Sequence, residues 1–223
     1  MSNIHIFYHI GQLNHWRFIV QEQLHSMFVS GLMSNSECLH VGVNGNQPIY
    51  GLPANSEVEY YSPELWAEET PTIKRLRDFC RKNPNKKVLY IMTKGVTRVT
   101  PSSNSWRLYL EYYCVHLWKD CVRDLDEHDC VGALWRTPKL QTDAPPHFSG
   151  NFWWTNSSYV NTLNDSMLES GHRYDREFWI GSGSPKVKNY GTQEGDNFNF
   201  YDNPNGELSS GSYILQQLTG IIP

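Results

Sequence analysis

Lys87-Val88-Leu89-Tyr90-Ile91-Met92, running into Thr93-Lys94-Gly95, reads as a buried β-strand that ends in a polar turn. A strand this apolar is covered on both faces, the setting of an inner strand in a parallel sheet. Upstream, Thr72 to Cys80 has helical spacing, Pro71 sits where a first-turn proline costs nothing, and Pro84 ends the helix. Before it come a strand from Ile4 to Ile10 closed by Gly11 and a helix from Trp16 to Leu32. A second strand, Cys38 to Val43, ends in Asn44-Gly45, and Glu57 to Tyr61 follows the Pro/Gly loop around Tyr50 to Pro53. Downstream, Ser105 predicts the N-cap of a long helix reaching about Asp126, and Asp129 to Trp135 returns as a strand. The segment from His147 to Trp154 supplies another strand and Asn156 to Leu163 a short helix. The pattern loosens from Asp165, and from about residue 182 Gly, Asn and Ser dominate, apart from an apolar edge element at Tyr213 to Leu218.

Strands alternating with helices predict an α/β fold with a mostly parallel central sheet flanked by helices on both faces. A length of 223 residues suits a single domain. Ligands of such sheets bind beyond the carboxyl ends of the strands. That rule selects His9, Ile10, Gly11, Asn44, Thr93, Lys94, Gly95, Arg136 and the aromatic segment as neighbours of one cleft. The absence of G-x-G-x-x-G and G-x-x-x-x-G-K-[ST] argues against a dinucleotide oxidoreductase and a P-loop enzyme.

Aromatics make up 13% of the chain, with 8 Trp and 13 Tyr, a supply that suits sugar or nucleotide contact and is also compatible with an aromatic core. A net charge of -4 with no basic run disfavours nucleic acid as a partner. No signal peptide and no long apolar span are evident, which predicts a soluble protein without an integral membrane segment, cytoplasmic, in the host cytoplasm if the source is viral. The five cysteines include no CxxC pair and read as reduced and mostly packed, Cys114 and Cys121 falling at core spacing.

Pro145-Pro146-His147-Phe148-Ser149-Gly150-Asn151-Phe152-Trp153-Trp154 combines hydrogen-bonding groups with aromatic faces. It reads either as a sugar site, through His147, Ser149, Gly150, Asn151, Trp153 and Trp154, or as a core strand. Lys94 can neutralise a diphosphate while Gly95 lets the backbone approach it, and Arg107, early in the next helix, can add a bidentate contact. Each is otherwise a surface cation. In Arg173-Tyr174-Asp175-Arg176-Glu177-Phe178-Trp179, Asp175 and Glu177 are candidate general bases, with Glu177 preferred for the cleft and Asp175 paired to Arg173 or Arg176. Asp124-Leu125-Asp126 has metal-binding spacing but lies at a helix end, so no metal ligand is assigned.

The strand-TKG, Ser105-Trp106-Arg107 and His147–Trp154 elements, in this order, resemble GT-A-type glycosyltransferases, especially small capsule- or virus-associated members. The resemblance spans about Ile4 to Gly181, and the last element is similar to the Phe-Asn-Ala-Gly strand of other GT-A enzymes. It implies a GT-A-like domain that transfers a sugar from a nucleotide-sugar donor, a UDP-sugar, to a hydroxyl of a glycan or glycoprotein. Many such enzymes hold Mn²⁺ or Mg²⁺ through an Asp-x-Asp where this chain has Thr93-Lys94-Gly95; Lys94 substitutes for part of the metal's charge, or another carboxylate holds it. The competing class is a non-catalytic carbohydrate-binding protein.

Overall fold

Consecutive residues of a strand face opposite sides of a sheet, so strands that are apolar throughout need a helix layer on each side. The computed structural model, which describes residues 3–62, 68–137, 145–172 and 174–191, has this arrangement. Strand β1 (Ile4–Gly11) leads through α1 (Trp16–Val29) to β2 (Cys38–Asn44) and β3 (Ser56–Ser62), and α2 (Thr70–Lys82) leads on to β4 (Lys87–Met92). These four strands are mutually parallel. Then come α3 (Pro101–Glu111), α4 (Trp118–Asp124), β5 (Cys130–Ala133), a two-residue ribbon of β6 (Trp135–Arg136) with β7 (His147–Phe148), and β8 (Trp153–Asn156). Short helices α5 (Ser157–Val160), α6 (Ser166–Glu169) and α7 (Asp175–Phe178) precede β9 (Val187–Tyr190).

The seven-stranded sheet has the order β3-β2-β1-β4-β8-β5-β9. It is mixed, because β8 runs antiparallel to both β4 and β5 while β9 is parallel to β5. A parallel return from β5 would need a crossover, usually helical. Here the chain carries the β6–β7 ribbon instead, and it re-enters the sheet reversed.

Two cores result. Ile4, Ile6, Tyr8 and Ile10 of β1 pack with α1, α3, α4 and Trp154 on one face. Phe7, Val88, Tyr90 and Trp153 pack with α2 and α5 on the other. The adjacent tryptophans thus fill opposite layers and neither has exposed surface (0% each). Trp153 stacks on Tyr90 with ring centroids 5.1 Å apart, and the Trp154 indole N–H donates to the Cys114 carbonyl at 2.8 Å. Burial removes both from sugar stacking, which corrects that reading of Trp153 and Trp154.

The helix expected to start at Ser105 starts earlier. Thr100 is its N-cap, its hydroxyl accepting from the Ser103 N–H at 3.2 Å, and Pro101 occupies the first turn. It does not run unbroken to Asp126, because a π-turn at Tyr112–His116 separates α3 from α4. Strand β9 was not legible in the loose C-terminal pattern, and the edge element expected at Tyr213 to Leu218 lies outside the described residues. All five cysteines are free, and Cys114 and Cys121 are buried as their spacing predicts. No helix among the described residues is long and apolar enough to cross a membrane.

Candidate functional site

The carboxyl ends of β1 and β4 open into a cleft of about 230 Å³. His9, Gly11, Thr93, Lys94 and Gly95 line it, as the strand-end rule predicts. The two strand ends are locked together: the Thr93 N–H donates to the His9 carbonyl at 3.0 Å, and the Gly11 N–H donates to the Thr93 hydroxyl at 3.0 Å. Ile10, between His9 and Gly11, is buried in the core and does not line the cleft, which corrects its expected place at the donor. The opposite wall is built from Trp106 of α3, Asn151, and Tyr174, Arg176 and Glu177 at α7, with Glu68 and Glu69 entering just before α2.

Lys94 projects its ammonium over the Trp106 ring, 3.6 Å from the centroid, a cation–π contact. No carboxylate among the described residues pairs directly with it. Burial lowers its pKa, and the charges of Glu177 and Glu69 oppose that shift without cancelling it. This close approach depends on Gly150. A Cβ there would stand 2.7 Å from a Leu110 methyl, 2.9 Å from the Trp106 indole nitrogen and 3.0 Å from Lys94 Cε, and the residue's φ is +94°.

The same glycine fixes the carboxylate. The Gly150 N–H donates to Glu177 Oε1 at 2.6 Å, so the aromatic segment contributes its backbone turn to the cleft. Asn151, also in the left-handed region at φ 58°, accepts the Trp153 indole N–H at 2.6 Å, which anchors the turn to the core. Beside Glu177, Glu69 accepts the Tyr90 hydroxyl at 2.7 Å. Burial raises the Glu69 pKa, the Tyr90 hydrogen bond acts against it, and the nearby Glu177 charge adds to the rise. The Asn151 side-chain amide lies beside Glu69 and favours its ionised form.

Glu177 is therefore in the cleft and Asp175 outside it, as preferred from the sequence. The partners differ from expectation. Asp175 bonds the Ser170 hydroxyl and lies 3.4 Å from His172 Nδ1, while Arg176 pairs with Glu68 and reaches the Thr70 hydroxyl at 3.4 Å. Arg173 lies outside the described residues.

Other expected ligand groups are engaged elsewhere. Arg107 is a correction: it is 1% exposed, and its guanidinium is held by Glu111 at 2.8 Å, Glu22 at 2.6 Å and Asn104 at 2.6 Å. Helical geometry turned it inward to Glu111, four residues on. Asn44 is fully buried and donates to the Glu68 carbonyl at 2.5 Å, positioning the loop before α2 without lining the cleft. His147 bonds the Pro145 carbonyl at 2.9 Å and packs on Phe178, and Ser149 is buried with its N–H on the Leu134 carbonyl; neither lines the cleft, nor does Arg136. His9 does, but its ring bonds the Thr72 hydroxyl at 2.8 Å, and burial, with Arg176 nearby, lowers its pKa to about 3. It is a neutral wall group. Asp124 accepts the Tyr190 hydroxyl and Asp126 the Lys87 ammonium.

Sequence reading missed Glu68, Glu69 and Tyr90. Glu68-Glu69 immediately before Thr70-Pro71 resembles the ordinary acidic start of a helix. Only the return of α7 across the sheet shows that these carboxylates face Glu177 and Arg176.

No curated protein matches this chain. Among solved structures, it is similar to the bifunctional IspDF from Campylobacter jejuni at 10% identity and a TM-score of 0.45, covering 86% of this chain and 50% of that one. The chain thus spans about half the length of that protein. Residues 5–168, which include β1 to α6 up to Leu168 and most of the cleft, match the family described as "Domain of unknown function (DUF8361)", and the chain belongs to that family.

Proposed function

We propose that the cleft binds a nucleotide-sugar donor, a UDP-sugar, and transfers its sugar to a hydroxyl of a glycan or glycoprotein acceptor. The observation that carries this reading is the pairing of an ammonium lacking a direct carboxylate partner, Lys94, with a backbone-held carboxylate, Glu177, at the carboxyl ends of β1 and β4. An ammonium in a desolvated, aromatic-walled position is suited to a diphosphate, whose charge it meets without reorganisation. Trp106 and Tyr174 are the aromatic groups that border the cavity.

In the reaction, Glu177 takes the proton of the acceptor hydroxyl as its oxygen attacks the anomeric carbon. The bond from that carbon to the diphosphate breaks, and the electron pair leaves with UDP, whose growing charge faces Lys94. The divalent ion common in GT-A enzymes does not fit the carboxylates here. Glu68 is paired with Arg176, Glu69 bonds Tyr90, and Glu177 bonds Gly150, with the Lys94 ammonium among them. The carbohydrate-binding alternative relied on tryptophan platforms, and the burial of Trp153 and Trp154 favours the enzymatic reading.

Calorimetry with UDP and UDP-sugars, followed by single-turnover assays of Glu177→Gln, tests the proposal. Donor binding should persist in the variant while transfer falls about 10²–10⁴-fold. A wild-type protein that binds no nucleoside diphosphate at millimolar concentration removes the reading altogether.

A further inference from the structure

At the end of the sheet opposite the cleft, on the face under α2, four side chains from the starts of β1, β2 and β3 and the preceding turn form a line of contacts. Glu37 Oε2 lies 3.0 Å from His5 Nε2, His5 Nδ1 lies 3.1 Å from His40 Nε2, and His40 Nδ1 lies 3.0 Å from Glu57 Oε2. Each contact needs one hydrogen between its two atoms, and two neutral imidazoles carry only two N–H groups. With Glu37 taking the His5 Nε2–H, His5 Nδ1 accepts the His40 Nε2–H. The His40 Nδ1 lone pair then points at a carboxylate. Cys38 Sγ approaches the same nitrogen at 3.8 Å, and the sulfur, nitrogen and carboxylate oxygen all lie within 4.8 Å of one another.

Tetrahedral zinc with bonds of about 2.0–2.3 Å holds such donors about 3.3–3.6 Å apart; the His40–Glu57 and Cys38–His40 separations of 3.0 and 3.8 Å fall on either side of that spacing, and the exposed Glu57 carboxylate can turn to close the third, which lies within 4.8 Å. A mixed thiolate, imidazole and carboxylate set suits zinc better than a hard cation. The His5–Glu37 relay is the outer-shell partner that a ligating histidine needs to fix its tautomer. Arg75 is the rival occupant, with Nη2 3.0 Å from Glu57 and 3.5 Å from His40 Nδ1. It is also held by Glu59 at 3.2 Å and by the Val41 carbonyl at 3.3 Å, so it can stay in place as the Glu57 carboxylate, 63% exposed, turns toward a metal.

We propose that Cys38 Sγ, His40 Nδ1 and the Glu57 carboxylate bind a zinc ion, with its fourth position open to water. Binding takes up Zn²⁺ and releases the Cys38 thiol proton to solvent. The site is independent of the proposed sugar transfer.

The test uses the purified full chain, loaded with Zn²⁺ or Co²⁺, desalted, and measured by elemental analysis and absorption spectroscopy. We expect one zinc per chain and a thiolate-to-cobalt charge-transfer band that is lost in Cys38→Ser. His40→Gln should lose stoichiometric metal, Arg75→Met should keep it, and His5→Phe should lower zinc affinity about 10–100-fold. Circular dichroism establishes that each variant is folded. A wild-type protein that retains no metal after desalting overturns the site, as does a cobalt spectrum unchanged in folded Cys38→Ser. Loss of metal in Arg75→Met likewise overturns the assigned ligand set.

Discussion

Lys94 and Arg107 are two cations that the sequence assigns to one diphosphate, and the fold treats them in opposite ways. Arg107 is enclosed by Glu22, Asn104 and Glu111, three partners within 2.8 Å that use its donors inside a closed cluster. Lys94 rests on the Trp106 ring with a cavity beside it and its nearest acids engaged by Tyr90 and Gly150. A planar guanidinium with several donors is suited to closing a buried network. A single ammonium on a flexible stem leaves donors for something that arrives from outside. A partly buried charge is thus a functional candidate when its surroundings are open and its partners incomplete.

The comparison breaks most readily at Arg107. Arg107→Ala leaves Glu111, only 2% exposed, without its counter-charge. Urea denaturation should show a loss of about 3–5 kcal/mol, the range for breaking a buried pair. A loss below about 1 kcal/mol would mean the cluster is not structural, and the contrast with Lys94 would collapse.

Lys94→Ala should do the reverse, lowering UDP affinity by about 1.5–3 kcal/mol, the worth of a charge-assisted bond, with little change in stability. Titration calorimetry on the folded variant reads this directly. An unchanged affinity would remove Lys94 from diphosphate binding.

Acid sharpens the contrast, because the cleft wall contains a histidine held neutral. Unfolded His9 takes up a proton near its ordinary pKa of 6.5, while the folded ring resists until about 3. Between those values the unfolded state binds more protons, so stability falls as pH drops through that window, by at most about 1.4 kcal/mol per unit for this ring. His9→Gln should flatten that limb in denaturation curves collected across the window. An identical slope would show that His9 is not the group responsible.

The smallest effect belongs to His147. Its imidazole bonds the Pro145 carbonyl away from the cavity, so His147→Ala should change stability by about 1 kcal/mol and leave UDP affinity unaltered. A tenfold loss of UDP affinity would restore it to the site.

Much of the architecture was legible in the residues. The apolar run Lys87–Met92 matches β4 residue for residue, and the alternation of strands and helices around it announced a covered α/β sheet. The strand-end rule located His9, Gly11 and Thr93 to Gly95 on the cleft, because backbone position depends on local pattern and on the handedness of crossovers. Gly150 is also legible as special, and in the structure its missing Cβ lets Lys94 and Trp106 approach.

Other features had no local signal. The reversal of β8 depends on what the β6–β7 ribbon does between two strands, and an aromatic strand looks alike in either direction. Trp153 and Trp154 were ambiguous, since a tryptophan can as well stack on a ligand as fill a core, and only the helices on both faces decided for the core. Hydrophobic period and turn chemistry act over a few residues, so the class of fold, its central strand and the strand ends that carry the cleft can be read from local pattern. Which charges face one another depends instead on long-range packing. Arg107 meets Glu22 across 85 positions, and Glu177 meets Gly150 across 27, and side-chain partners at such separations are chosen by packing geometry that no local pattern encodes.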